Sequence, residues 1–183
     1  RALALVDGIL LLVDAAEGPL PQTRYVLSKA LERKLPAVVV VNKVDRADAR
    51  PAEVVDEIYE LFLDLDAPDI EFPIVSTVAR EGRAVAGIGM PGPGADLSAL
   101  LDTIVAAVPA PGGDPAAPLQ ALVTNLDASD YLGRLAIGRV VSGTLTAGRS
   151  VALCHATPDE PPLRRRLGSL LGFDGLGRSE VSE

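Results

Sequence analysis

The sequence predicts an α/β protein in which a doubly wound parallel sheet is followed by an incomplete antiparallel β-barrel. Three observations carry this reading. Short aliphatic runs alternate with helical periodicities three times across residues 1–108, residues 109–118 are rich in Pro, Ala and Gly, and from 119 to 183 the apolar period changes to two. The 183 residues correspond to about one to one and a half domains.

The elements follow in order. Gly8-Ile9-Leu10-Leu11-Leu12-Val13, closed by Asp14, reads as a strand buried on both faces. Pro19 and Pro21 sit where a first helical turn tolerates a missing N–H. Val26, Leu27, Ala30 and Leu31 then recur at helical spacing, and Arg33 and Lys34 meet the negative end of the dipole. Ala37-Val38-Val39-Val40-Val41 is a second buried strand, ended by Asn42. Pro51 opens a helix with the apolar stripe Val54, Ile58, Leu61, Phe62 and Leu65. Its other face, Glu53, Asp56, Glu57, Glu60 and Asp64, is read as solvated surface in preference to a metal site, because these residues follow the polar half of one helix. Phe72-Pro73-Ile74-Val75 is a weaker third strand. After a Gly/Pro-rich loop, Asp96 is placed to cap a third helix that buries Leu97, Leu100, Leu101, Ile104, Val105 and Val108. This alternation implies right-handed crossovers on a parallel sheet.

Pro109, Pro111, Pro115 and Pro118 block regular structure, so residues 109–118 are expected to be a linker. Beyond them Leu135 and Ile137 alternate with polar or small neighbours, as do Val151 and Leu153. Turn signals fall at Ser142-Gly143 and Ala147-Gly148.

Composition narrows the function. With 25 acidic residues against 17 Lys and Arg, the formal charge is -8, and the chain as a whole repels phosphate backbones. The imbalance lies in residues 1–115, whereas 116–183 carry equal numbers of each sign, leaving that part free to face an anion. Aromatics make up 3% with no Trp, which argues against a single-strand binder built on stacked bases. One cysteine, Cys154, and no Cys/His cluster point to a cytosolic, cytoplasmic protein. The longest apolar run, Ile9 to Val13, is far short of the roughly 18 residues of a membrane span. Arg1 at the start, without the order of a signal peptide, is read as a trimmed N-terminus.

In a doubly wound sheet, ligands sit beyond the carboxyl ends of the strands. Asn42-Lys43-Val44-Asp45 follows its strand directly and matches the Asn-Lys-x-Asp pattern that reads guanine. Guanine offers two donors on one edge, N1–H and the C2 amino group, and an ionised Asp45 has two oxygens to meet them. Adenine lacks that pair. Asn42 is suited either to the imidazole edge of the base or to tying neighbouring loops, while the methylene stem of Lys43 can lie over the ring. The bland alternative is a polar strand-to-loop turn in which Asp45 caps local amides.

Leu5-Val6-Asp7-Gly8-Ile9-Leu10-Leu11-Leu12-Val13-Asp14-Ala15-Ala16-Glu17-Gly18-Pro19 and Pro21-Gln22-Thr23-Arg24 resemble the segment after switch II in translational GTPases. Asn42-Lys43-Val44-Asp45-Arg46, Ala49-Arg50-Pro51 and Asp174-Gly175-Leu176 resemble the BipA/TypA branch of that superfamily. The resemblance covers nearly the whole chain. It implies a partial P-loop GTPase-like sheet (1–108), a linker (109–118) and part of the second-domain β-barrel (119–183). It also implies GTP/GDP as ligand, the ribosome as partner, and Asn42, Lys43 and Asp45 as guanine contacts. The loop after the third strand normally reads Ser-Ala-x in this family, with a backbone amide facing the guanine carbonyl. The aligned residues here are Val78, Ala79 and Arg80, so the bracing Ser hydroxyl is missing while Ala79 still carries an amide. Ser76 and Thr77 are read as strand-end polar residues in preference to a shifted substitute.

No Gly-x-x-x-x-Gly-Lys-Ser/Thr occurs, since the only lysines are Lys29, Lys34 and Lys43 and none follows a Gly. The phosphate cradle, the Mg²⁺ ligand and the switch residues are therefore expected only in an intact parent, before Arg1. The fragment itself is expected to be inactive, monomeric and free of membrane. Arg164-Arg165-Arg166, the densest basic run, is the expected contact with ribosomal RNA and proteins, with a plain solvated edge as the alternative. A rival reading keeps only a non-catalytic module that binds RNA or protein through the barrel and its arginines.

Three other signals carry less. Gly87-Ile88-Gly89-Met90-Pro91-Gly92 fits a dinucleotide fingerprint but lacks a following helix, so it reads as a loop. Asp14 near Lys43 is reminiscent of a phosphoacceptor receiver, which the guanine motif and appended barrel fit poorly. His155 has no triad or metal partner in the pattern and reads as a loop residue.

Overall fold

A run of five residues as apolar as Ala37–Val41 can be hidden only if a sheet face is covered on each side, and this run forms an inner strand. The computed structural model describes residues 2–67, 71–129, 132–154 and 160–183. It contains β1 (Ile9–Asp14), α1 (Pro21–Leu31), β2 (Ala37–Asn42), α2 (Pro51–Asp64), β3 (Ile74–Val78), β4 (Arg83–Ala86) and α3 (Ser98–Ala107) in a unit spanning Val6–Pro111. The sheet order is β1-β2-β3-β4, with the first three strands parallel and β4 antiparallel to β3.

Both faces of β2 are covered. Val39 and Val41 join Leu11 and Val13 of β1 in a core closed by Leu27 of α1 and by Val54, Ile58 and Phe62 of α2. Phe62 stacks on Phe72 with ring centroids 4.4 Å apart. Val38 and Val40 point the other way and pack with Val75 and Ala84 against Ala99, Leu100 and Ala107, the last three being on α3. Helices on both faces of a mostly parallel sheet give the expected α/β architecture.

Several expectations shift. β1 is covered on one face only: Leu11 and Val13 are buried, while Leu10 and Leu12 are 48% and 62% exposed, because β1 is an edge strand in this sheet. Val26 of α1 is exposed as well. In α3, Leu100 packs inward but Leu101 and Val105 face out, and Leu97 just before it is also exposed. Asp96 falls one residue short of the expected cap: Leu97 fills the N-cap position without a side-chain bond, and Asp96 Oδ1 accepts the Ser98 N–H at 2.9 Å from just before it. The third strand starts later than expected, at Ile74, and runs to Val78. Pro73 lacks an N–H to give to a ladder, yet its carbonyl accepts the Val39 N–H at 2.9 Å. β4 falls inside the stretch expected to be loop. Gly82 (φ 65°) supplies the left-handed residue that lets the chain reverse into it.

The other unit comprises Gly112–Glu183 with residues 2–5. It holds three antiparallel two-stranded ladders: β5 (Gln120–Ser129) with β6 (Gly133–Ser142), β7 (Ser150–Leu153) with β8 (Leu163–Arg166), and β9 (Leu170–Asp174) with β10 (Gly177–Val181). Leu135 and Ile137 alternate with exposed neighbours as expected, and none of the described residues here is fully buried. Part of the expected linker is tethered within this unit. Asp114 O accepts the Gly143 N–H at 2.9 Å, and Pro118 O accepts the Ser142 hydroxyl at 2.9 Å. The arginine run forms β8, where Arg164, Arg165 and Arg166 are all exposed and pair with Ala152, Val151 and Ser150. Alternation along the strand sends Arg165 to the face opposite its two neighbours.

Candidate functional site

Parallel register brings three polar residues side by side at the carboxyl ends of the strands: Asp14 pairs with Asn42, and Asn42 with Thr77. Asn42 Oδ1 accepts the Thr77 hydroxyl at 3.0 Å and the Ala79 N–H at 3.1 Å. Of the two roles open to Asn42, its oxygen thus takes the tying of neighbouring loops. Thr77 is 1% exposed, and its hydroxyl ties β3 to the Asn42 side chain. Sequence reasoning passed over Thr77 as an ordinary strand-end residue, because only the register with Asn42 reveals its partner. Val78, in the serine position, is fully buried and brings no polar side chain to the site.

Ser76 works one layer away. Its hydroxyl donates to the Gly87 carbonyl at 2.8 Å and accepts the Gly89 N–H at 3.1 Å. The glycine-rich segment is therefore a loop tied to β3, with no helix following it directly.

Lys43 adopts φ 64°, one of three described non-glycine residues in the left-handed region. That region costs an L-residue roughly 1–2 kcal/mol, so something must hold it there. Asp14 does: Lys43 Nζ lies 2.7 Å from its Oδ2, with the Arg46 guanidinium at 3.5 Å. The other oxygen, Oδ1, accepts the Ala16 and Glu17 amides at 2.8 and 3.3 Å. Asp14 Oδ2 is enclosed and has no well-angled hydrogen bond, so its charge is met by the ion pair. The Lys43 ammonium is the main reason its pKa falls from 3.8 to about 2; the two amides add to this and burial opposes it. Asp14 and Lys43 do meet, and what they form is a brace on the Asn-Lys-x-Asp turn.

Asp45 sits one turn further on, its side chain 16% exposed, with Oδ2 2.8 Å from Arg80 NH2. Arg80 is itself 76% exposed and lies 3.6 Å from Glu81. Lys43 O accepts the Arg46 N–H at 3.1 Å, closing the turn that carries Asp45. Asn42, Lys43, Asp45, Ala79 and Arg80 thus gather at one end of the sheet, and the two loops are joined through Asn42. A shallow cavity of about 480 Å³ lies at the other end of β2, lined by Pro36, Ala37, Glu71, Phe72, Pro73 and Ala107. One carboxylate among apolar walls gives it no convergent polar chemistry.

A carboxylate held between joined loops at the carboxyl ends of parallel strands can accept two donors from one edge of a ligand. The family described as the elongation factor Tu GTP binding domain matches residues 1–110. The chain belongs to this family. Along its full length it is 45% identical, over 183 residues, to the large ribosomal subunit assembly factor BipA of Synechocystis sp.. The BipA proteins of Bacillus subtilis and Escherichia coli K12 are 45% and 40% identical over 185 and 183 residues, covering 100% and 99% of the chain. The chain spans about 30% of the length of each of these relatives.

The remaining sequence signals fall outside this site. His155 lies outside the described residues, and Cys154 is an exposed free thiol. In the acidic row of α2, Glu53 and Glu57 pair with Arg50, and Asp64 with Arg24. No group of three or more His, Cys, Asp or Glu among the described residues is placed to hold a metal ion.

Proposed function

We propose that this chain supplies the base-reading half of a GTP-binding domain, with Asp45 accepting guanine N1–H and the C2 amino group. The observation that carries the reading is the Asn42 clasp. By bonding Thr77 and Ala79 at once, it joins the Asp45 turn to the loop of Val78, Ala79 and Arg80. Lys43, held by Asp14, offers its stem to a ring face, while the Ala79 amide, expected to face the guanine carbonyl, is taken by Asn42 and serves to hold the two loops together.

The protein to which these residues belong is proposed to be a ribosome-associated, cytosolic translational GTPase that acts in large-subunit assembly, as the names of its relatives state of them. Hydrolysis of GTP to GDP and phosphate needs a phosphate cradle, and this sequence contains no such motif. The 183 residues by themselves are therefore proposed to bind without turnover. The three ladders of the second unit are proposed as parts of one β-barrel. Arg164 and Arg166, sharing a strand face, are its proposed contacts with ribosomal RNA, and Arg165 serves a different surface.

The test is Asp45→Asn. Swapping an acceptor for a donor should weaken guanosine binding about 10- to 100-fold, the worth of a charge-assisted hydrogen bond. It should also transfer preference to xanthosine, whose C2 carbonyl accepts. Titration of this chain with each nucleoside by NMR reads both changes, and unaltered guanosine affinity in the variant would overturn the assignment.

A further inference from the structure

We infer, on the base-reading role proposed above for Asp45, that Arg80 is a built-in competitor for the base and sets how tightly guanine is held. The Asp45 carboxylate is engaged by Arg80, whose NH2 lies 2.8 Å from Oδ2. The two donors are chemically alike. Guanine's reading edge contains a guanidine unit, N1–C2(N2)–N3, and presents planar N–H groups to a carboxylate as an arginine side chain does. Arg80 and the base therefore seek the same carboxylate, and a guanine edge that takes both oxygens competes with Arg80 for Oδ2.

Geometry makes the exchange easy. Arg80 is 76% exposed, whereas the Asp45 side chain is 16% exposed, so the arginine can leave without unpacking anything. Glu81 Oε1, 3.6 Å from Arg80 NH2, gives the displaced guanidinium a second carboxylate. Such exposed pairs are worth roughly a two- to fivefold change in an equilibrium. Arg80 thus tunes the site while leaving it open, and it favours ligands that present two donors over those that present one.

Neutral guanosine is the right probe, because loss of a cation also changes attraction for phosphate. In NMR titrations of the full chain, Arg80→Ala should bind guanosine about two- to fivefold more tightly than the parent, with Arg80→Lys between them. Raising salt from about 50 mM to about 500 mM should tighten guanosine binding to the parent by screening the ion pair, and leave Arg80→Ala unchanged. Equal or weaker binding by Arg80→Ala, with guanosine still preferred over adenosine, would overturn the competition and leave the base-reading role intact. Absence of any preference for guanosine over adenosine in every variant would remove both.

Discussion

Replacing Asp14 with asparagine removes the charge that holds Lys43 in the left-handed region while keeping an oxygen for the Ala16 and Glu17 amides. Folding lowers the Asp14 pKa from 3.8 to about 2, chiefly through Lys43. By linkage this is worth about 2 kcal/mol at neutral pH. The carboxyl is depressed in the folded state, so its contribution is complete above about pH 4 and is lost as pH falls through 2. The difference between parent and Asp14→Asn should therefore be about 1–2 kcal/mol at pH 7, the lower figure allowing for solvent screening of the half-exposed Lys43. It should shrink by about half at pH 3 and nearly vanish at pH 2. Urea unfolding followed by circular dichroism at 222 nm reads this in the right place, because all three described α-helices lie in the Val6–Pro111 unit. A gap between parent and variant that stays constant from pH 7 to pH 2 would refute the ion-pair account.

Two further substitutions test the frame that carries the site. Ile58 is 0% exposed in the core between α2 and the sheet, so Ile58→Ala should cost about 2–5 kcal/mol in the same urea assay, and Ile58→Val about 1 kcal/mol. Gly18 adopts φ 74°, and an added Cβ would run into the Glu57 carboxylate that Arg50 holds, so Gly18→Ala and Gly18→Asn should each cost at least about 1–2 kcal/mol, again from urea midpoints.

The alternation of apolar runs and helical stripes was legible because both are local, repeating patterns. β2, α1, α2 and α3 were expected near their observed places, and β2 lies buried on both faces as its unbroken run of valines requires. The Asn-Lys-x-Asp motif was legible for the same reason: its residues are contiguous, and a strand end presents them together. Less visible was anything that depends on a strand's neighbours. Leu10 and Leu12 look as buried in sequence as Val38 and Val40, yet β1 is an edge and β2 is not. β4 was missed because four residues, Arg83–Ala86, are too few for a period, and its pairing with β3 is what makes it a strand. Thr77 and Asp14 stood out in the sequence only as strand-end polar residues, without the partners they take. One is 35 residues from Asn42 and the other 29 from Lys43, and parallel pairing alone aligns them.

By itself, the sequence determined the alternation of β1, β2 and β3 with α1, α2 and α3 in the first unit and the place of Asn42-Lys43-Val44-Asp45 at the tip of a strand. Hydrophobic periodicity and motif chemistry are properties of short stretches and survive without coordinates. Only the tertiary structure decided that Asn42 clasps two loops, that Asp14 holds Lys43, and that Arg80 occupies Asp45. Each of these joins residues remote in the chain, and a contact of a few ångströms between distant residues exists only once the sheet has brought its strand ends into line.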